Sequence, residues 1–117
     1  MNTQIPNLVQ IILHKISKQI ELKYEDDRVF KLSCEYLRVF SPSAEVRGHG
    51  NSEGVLITGK EQVNILSIEP VGNYAVKFIF SDGHMSGIYS FATLYDLAIN
   101  QETNWQHYQE RVKHEQI

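Results

Sequence analysis

The chain has 117 residues, 42% hydrophobic and 21% charged, the balance of a folded globular protein rather than a disordered one. Its net charge is −3 and its eleven lysines and arginines are scattered, so it lacks the basic stripe of a nucleic-acid binder. A single cysteine, Cys34, excludes an internal disulfide. Met1 to Pro6 lacks the basic and then apolar regions of a signal peptide. The longest apolar run, Ile11 to Leu13, is far too short to span a bilayer. The expectation is one cytoplasmic domain over residues 1–117 with no membrane segment.

Leu8 to Leu13 reads as a strand with Val9, Ile11 and Leu13 on one face. His14 to Lys18 is turn-like, and Ile20, Leu22 and Tyr24 then alternate with charged residues as a half-buried strand does. Glu25 to Arg28 is a turn, Val29 to Leu32 a partner strand, and the three strands together form a meander. Ser33 is placed to cap a short helix from Cys34 to Phe40, with Glu35 complementing its dipole, and Pro42 ends it. Residues 41–62 form a long loop with four glycines and one short apolar run, Val55 to Ile57, an edge strand or a tether.

Val63 to Ile68 resumes strand character, and Glu69 to Asn73 reads as a turn. Tyr74, Val76, Phe78 and Phe80 then alternate along the clearest strand. Asp82-Gly83 predicts a two-residue hairpin turn that pairs Phe80 with Met85, Phe78 with Gly87 and Val76 with Tyr89. Gly87 opposite Phe78 leaves room for a ring or marks a bulge. Ser90 caps a helix from Phe91 to Ile99 with Phe91, Leu94, Tyr95 and Ala98 on one stripe, and Asn100 is a left-handed stop. A last helix over 104–114 carries Trp105, Tyr108 and Val112 at helical spacing, a core-docking stripe or an oligomer contact. No internal repeat is evident. The class is α+β: a twisted, mostly antiparallel sheet, meander plus Asp-Gly hairpin, with a short middle helix and two C-terminal helices.

Leu37 to Gly50 (Leu-Arg-Val-Phe-Ser-Pro-Ser-Ala-Glu-Val-Arg-Gly-His-Gly) and Ile68 to Ser90, with Glu-Pro-Val-Gly-Asn-Tyr and then Ser-Asp-Gly-His-Met-Ser-Gly-Ile-Tyr-Ser, carry a resemblance. Both resemble the small N-terminal domain of gamma-butyrobetaine hydroxylases, the DUF971 family, here standing alone. The resemblance covers nearly the whole chain. It implies a structural zinc held by three cysteines and a histidine, at positions that fall on Ser41, Ser43, Val46 and His84. Only His84 survives as a ligand. Serine hydroxyls and valine do not supply the donors zinc requires, so no cofactor is expected. The expectation is that Ser41-Pro42-Ser43 forms a tight turn, Val46 fills the metal's space, and the segment touches the later hairpin without a metal. Cys34, His49 and His84 could regroup around an ion, although no spacing argues for it.

The expected ligand or partner surface consists of Arg38, Ser41, Ser43, Glu45, Arg47, His49, Asp82 and His84. Arg47 offers a planar donor fork for carboxylate or phosphate, and the glycines around His49 allow close backbone approach; the plainer reading pairs Arg47 with Glu45 or Asp82. Asp82 and His84 form an acid–base pair or a structural turn, the latter favoured because a third partner is missing. Cys34 lies at a helix start, which lowers a thiol pKa, yet without a basic neighbour it reads as a small core residue. The hydroxylases' iron site belongs to a separate, larger domain, so no enzyme is expected. The expected function is a non-catalytic adaptor. The family's fusions to P-loop ATPases with iron–sulfur clusters imply a partner in iron–sulfur assembly; nucleic acid and membrane are not expected. The alternative is a small-molecule or anion-binding regulator that uses the Arg47–His49 loop and the His84 hairpin.

Overall fold

The computed structural model describes residues 5–42, 56–84 and 87–115. In order come β1 (Leu8–His14), β2 (Gln19–Tyr24), β3 (Val29–Ser33), α1 (Cys34–Val39), β4 (Ile65–Val71), β5 (Ala75–Phe80), β6 (Gly87–Ser90), α2 (Phe91–Ile99) and α3 (Gln101–Glu115). The class is α+β as expected, and the strands divide into two antiparallel sheets, β1-β2-β3 and β4-β5-β6. Period-two alternation explains their burial. Ile20, Leu22 and Tyr24 of β2 and Val76, Phe78 and Phe80 of β5 face inward, and one buried cluster draws on both sheets. Each such side chain contributes roughly 1.5–3 kcal/mol through burial.

The two halves are built alike. Each is a three-strand meander that runs into a helix through a serine cap: Ser33 Oγ accepts from the Tyr36 N–H, and Ser90 Oγ from the Thr93 N–H, both at 3.0 Å. The first helical N–H reaches back to the residue before the middle strand in both, Cys34 to Lys18 and Phe91 to Tyr74, each at 2.9 Å. Both first strands shift register near their start, between Leu8 and Gln10 and between Ile65 and Ser67. The bulge turns Val9 and Leu66 outward, 64% and 52% exposed. Val9 therefore leaves the inward face expected for it, while Leu8 packs on the core.

The hairpins between second and third strands are also alike. Tyr24 N–H donates to the Arg28 carbonyl and Asp27 N–H to that of Tyr24; Phe80 N–H donates to His84 and Gly83 N–H to Phe80. These are three-residue loops whose last residue is left-handed, Asp27 at φ 73° and Gly83 at φ 93°. The two-residue Asp82-Gly83 turn expected from sequence is thus replaced. The register Phe78–Gly87 and Val76–Tyr89 is nevertheless as expected. The Phe80–Met85 pairing lies outside the described residues.

Three further boundaries differ. β4 runs through Glu69 and Pro70, which the edge position permits because a proline there withholds no needed donor; the turn begins at Gly72. Tyr74 falls in that turn and is 58% exposed instead of facing inward. Asn100 is not left-handed (φ −106°); it caps α2 through its N–H to the Asp96 carbonyl, and α3 follows at once. Of the Val55–Ile57 run, Ile57 is a tether, its carbonyl accepting from Tyr108 Oη at 2.7 Å, and Val55 lies outside the described residues. Trp105 and Tyr108 dock as expected, stacked at 4.9 Å, with Trp105 edge-on to Tyr36. Among the described residues no helix is long and apolar enough to cross a membrane.

Candidate functional site

The end of α1 meets the β5–β6 hairpin in a polar junction. Tyr89 fixes the geometry from below: its hydroxyl, fully buried, donates to the Leu37 carbonyl at 2.5 Å, and burial pushes its phenol far above the ordinary range. Gly87 permits the close approach. A Cβ there would lie 3.0 Å from Tyr89 Cε1, 3.3 Å from Phe80 Cε2 and 3.5 Å from Ser41 Oγ. Glycine at this position makes room for two rings and a serine rather than marking a bulge between β5 and β6.

Ser41, 2% exposed, places its Oγ 3.1 Å from His84 Nε2, and the imidazole leans on the Phe80 ring with centroids 5.8 Å apart. Beside them Asp82 gathers three donors. Its Oδ2 accepts from Arg38 Nε at 2.9 Å and Lys60 Nζ at 2.7 Å, and its Oδ1 from the His84 backbone N–H at 3.1 Å. Burial opposes ionisation, but Lys60, that N–H and Arg38 outweigh it and hold the carboxyl down to about 2. Arg38 Nη1 is buried and has no hydrogen-bond partner among the described residues.

The structure thus brings Arg38, Ser41, Asp82 and His84 together, and the expected contact between the α1 segment and the hairpin exists. Ser43, Glu45, Val46, Arg47 and His49 lie outside the described residues. Asp82 grips the His84 main chain rather than its ring, so the two do not form an acid–base pair through a shared proton. Sequence reasoning missed Lys60, which lies near the end of the long loop, away from the Arg47–His49 stretch that drew attention. Cys34 is fully buried, and burial raises its thiol pKa, so it is a core residue.

The chain belongs to the gamma-butyrobetaine hydroxylase-like N-terminal family, whose model matches residues 11–95. It is similar to a protein of known solution structure at 49% identity, covering all of this chain and 89% of that one, with a TM-score of 0.83. A second solution structure is 43% identical over 94% of this chain and 86% of that one, with a TM-score of 0.80. A crystal structure of a DUF971 protein of unknown function from Acidithiobacillus ferrooxidans is 35% identical over 78% of this chain and 91% of that one, at a TM-score of 0.65. No curated protein matches.

The zinc that the resemblance implies would fall on Ser41, Ser43, Val46 and His84, of which Ser41 and His84 are described. Ser41 Oγ sits against the one nitrogen that His84 would offer on this side, and a serine hydroxyl is not among the usual donors of a structural zinc. Among the described residues no three His, Cys, Asp or Glu side chains are grouped to hold an ion. Of the four positions, the two described ones supply one zinc donor, His84, and one residue that is not such a donor, Ser41.

Proposed function

We propose that the chain is a non-catalytic binding module whose recognition surface centres on the junction of α1 with the β5–β6 hairpin. One observation carries this reading: the polar side chains of the junction are tied into fixed contacts, with Asp82 held by Arg38 and Lys60 and His84 set against Ser41. Asp82 is held at about 2 by its donors and is a poor base, and His84 is engaged by Ser41. Such a cluster fixes the shape of a surface and leaves Asp82 unavailable as a base. In this reading the junction works without a metal, in the cytoplasm, and its partner is a protein of iron–sulfur cluster assembly, as the family's fusions imply. The test is affinity capture from native lysate with wild type and an Arg47→Ala/His49→Ala variant, identified by mass spectrometry. An iron–sulfur assembly protein retained by wild type and lost by the variant supports the proposal; the same background from both baits, with no such protein in it, refutes it.

A second reading, an anion-binding regulator, is favoured by Arg38 Nη1, a buried donor without a described acceptor beside the cationic Lys60. It expects phosphate or a small dicarboxylate to raise the melting temperature of wild type and not of Lys60→Gln. No shift in wild type rejects it.

A further inference from the structure

On the other side of residues 58–61 the chain forms a second feature, and none of its residues belongs to the junction. Lys60 turns to Asp82, whereas its neighbour Glu61 lines an open cavity of about 860 Å³ with Glu35, Trp105, Tyr108, Val112 and Lys113. A shallower depression of about 540 Å³ shares Trp105 and Gln109 with it and adds Glu102. Trp105 therefore stands between two hollows along α3.

The lining is aromatic and acidic. Trp105 and Tyr108 stack at 4.9 Å with an interplanar angle of 26°. Tyr108 is anchored through its hydroxyl to Ile57, so the aromatic wall is fixed before anything binds. Burial, and then the charge of Glu61, raise the Glu35 pKa, and both carboxylates raise that of Tyr108 after burial. Neither Glu35 nor Glu61 has an ion pair among the described residues. Lys113 supplies one positive charge against two negative ones, or three with Glu102.

We propose that this groove is a docking site for a basic segment of a partner protein, with an arginine side chain seated on Trp105, backed by the buried Tyr108, between Glu35 and Glu61. An indole face attracts a cation, a guanidinium stacks on it while its fork reaches a carboxylate, and a cation relieves the repulsion of two crowded carboxylates. Two shallow hollows in line suit an extended peptide that lies across Trp105 better than a small molecule that needs enclosure.

Trp105 is the only tryptophan of the chain, so its fluorescence reports the groove directly. The probe is acetyl-Gly-Arg-Gly-Arg-Gly-amide, with a citrulline-for-arginine peptide as the uncharged control. The full chain and a Glu35→Gln/Glu61→Gln variant, its fold verified by circular dichroism, are titrated at low salt. Should that variant unfold, Glu61→Gln alone replaces it, since Glu61 is exposed. The expected result is a saturable change in wild type, weakened about tenfold or more by the variant or by citrulline. No saturable change below about 10 mM peptide, a limit set by the few kcal/mol such contacts supply, overturns the proposal. So does equal binding of the citrulline peptide or by the variant.

Discussion

Asp26 and Asp82 occupy the same place in two hairpins of the same design, and this offers an internal control for what the junction contributes. Each accepts from the backbone N–H two residues on, Arg28 or His84, at 3.1 Å, and each takes an arginine Nε at 2.9 Å. They differ in burial. The Asp26–Arg28 side chains are 38% and 47% exposed; those of Asp82 and Arg38 are 19% and 11% exposed, with Lys60 added. Exposed pairs contribute about 0–1 kcal/mol, and breaking a buried one costs about 3–5 kcal/mol. Asp26→Asn is therefore expected to cost under about 1 kcal/mol and Asp82→Asn about 2 kcal/mol, since the asparagine oxygen still closes the loop while Arg38 and Lys60 face each other uncompensated. The depression of the Asp82 carboxyl from 3.8 to about 2 points to the same size, about 1–2 kcal/mol after solvent screening.

The sign of the pH dependence follows. A carboxyl whose folded pKa lies below its unfolded value stabilises the fold above the unfolded pKa and loses that contribution as pH falls through the folded one. The gap between wild type and Asp82→Asn should be constant from pH 7 to pH 5 and narrow from about pH 4 towards pH 2. Urea unfolding followed by circular dichroism measures it at each pH. Equal costs for the two substitutions, or a gap that does not narrow in acid, would refute the reasoning.

Gly87→Ala should destabilise by about 1–3 kcal/mol, read as a lower urea midpoint, because the rings of Phe80 and Tyr89 that its Cβ meets are themselves fully packed; a change below about 0.5 kcal/mol would contradict the close approach. Cys34, buried and with a raised thiol pKa, should react with Ellman's reagent only at the rate of opening, and fast labelling of the native protein would place it elsewhere. Elemental analysis of untagged protein should find far less than stoichiometric zinc, and a chelator should leave the melting temperature unchanged. Stoichiometric zinc would overturn the metal-free junction.

The strands and both serine caps were legible because each has a local cause, alternation or a hydroxyl before a helix, whereas the α1–hairpin contact was expected only through the family resemblance. What escaped had causes outside the window that sequence reasoning uses. Val9 and Leu66 point outward because of bulges, and a bulge inverts a face without altering composition. The Asp82-Gly83 turn type depended on one backbone bond, Phe80 N–H to His84, over a dipeptide that serves two-residue and three-residue loops alike. Lys60 became part of the site through a contact 22 positions away, which no spacing rule covers.

The doubling of the β-β-β-α unit was invisible for a related reason. Tyr24-Glu25-Asp26-Asp27-Arg28 and Phe80-Ser81-Asp82-Gly83-His84 share one identical residue, yet they fold to the same loop, because backbone bonds and one aspartate specify it. That equivalence separates scaffold from elaboration. The aspartate-to-N–H bond, the serine cap and the first-strand bulge occur in both halves, so they belong to the hairpin-and-helix design and say nothing of function. Among the described residues, Lys60 on Asp82, Arg38 packed to 11% exposure, and Ser41 against His84 have no counterpart in the first half, where Arg28 holds Asp26 through its Nε and turns the rest of its guanidinium to the Tyr95 ring and hydroxyl. Three side chains drawn from outside the second hairpin thus converge on a loop whose twin folds without them. The hairpin itself does not need that convergence. Its physical consequence is the joining of α1 and residues 58–61 to the second sheet, which gives the junction one fixed shape.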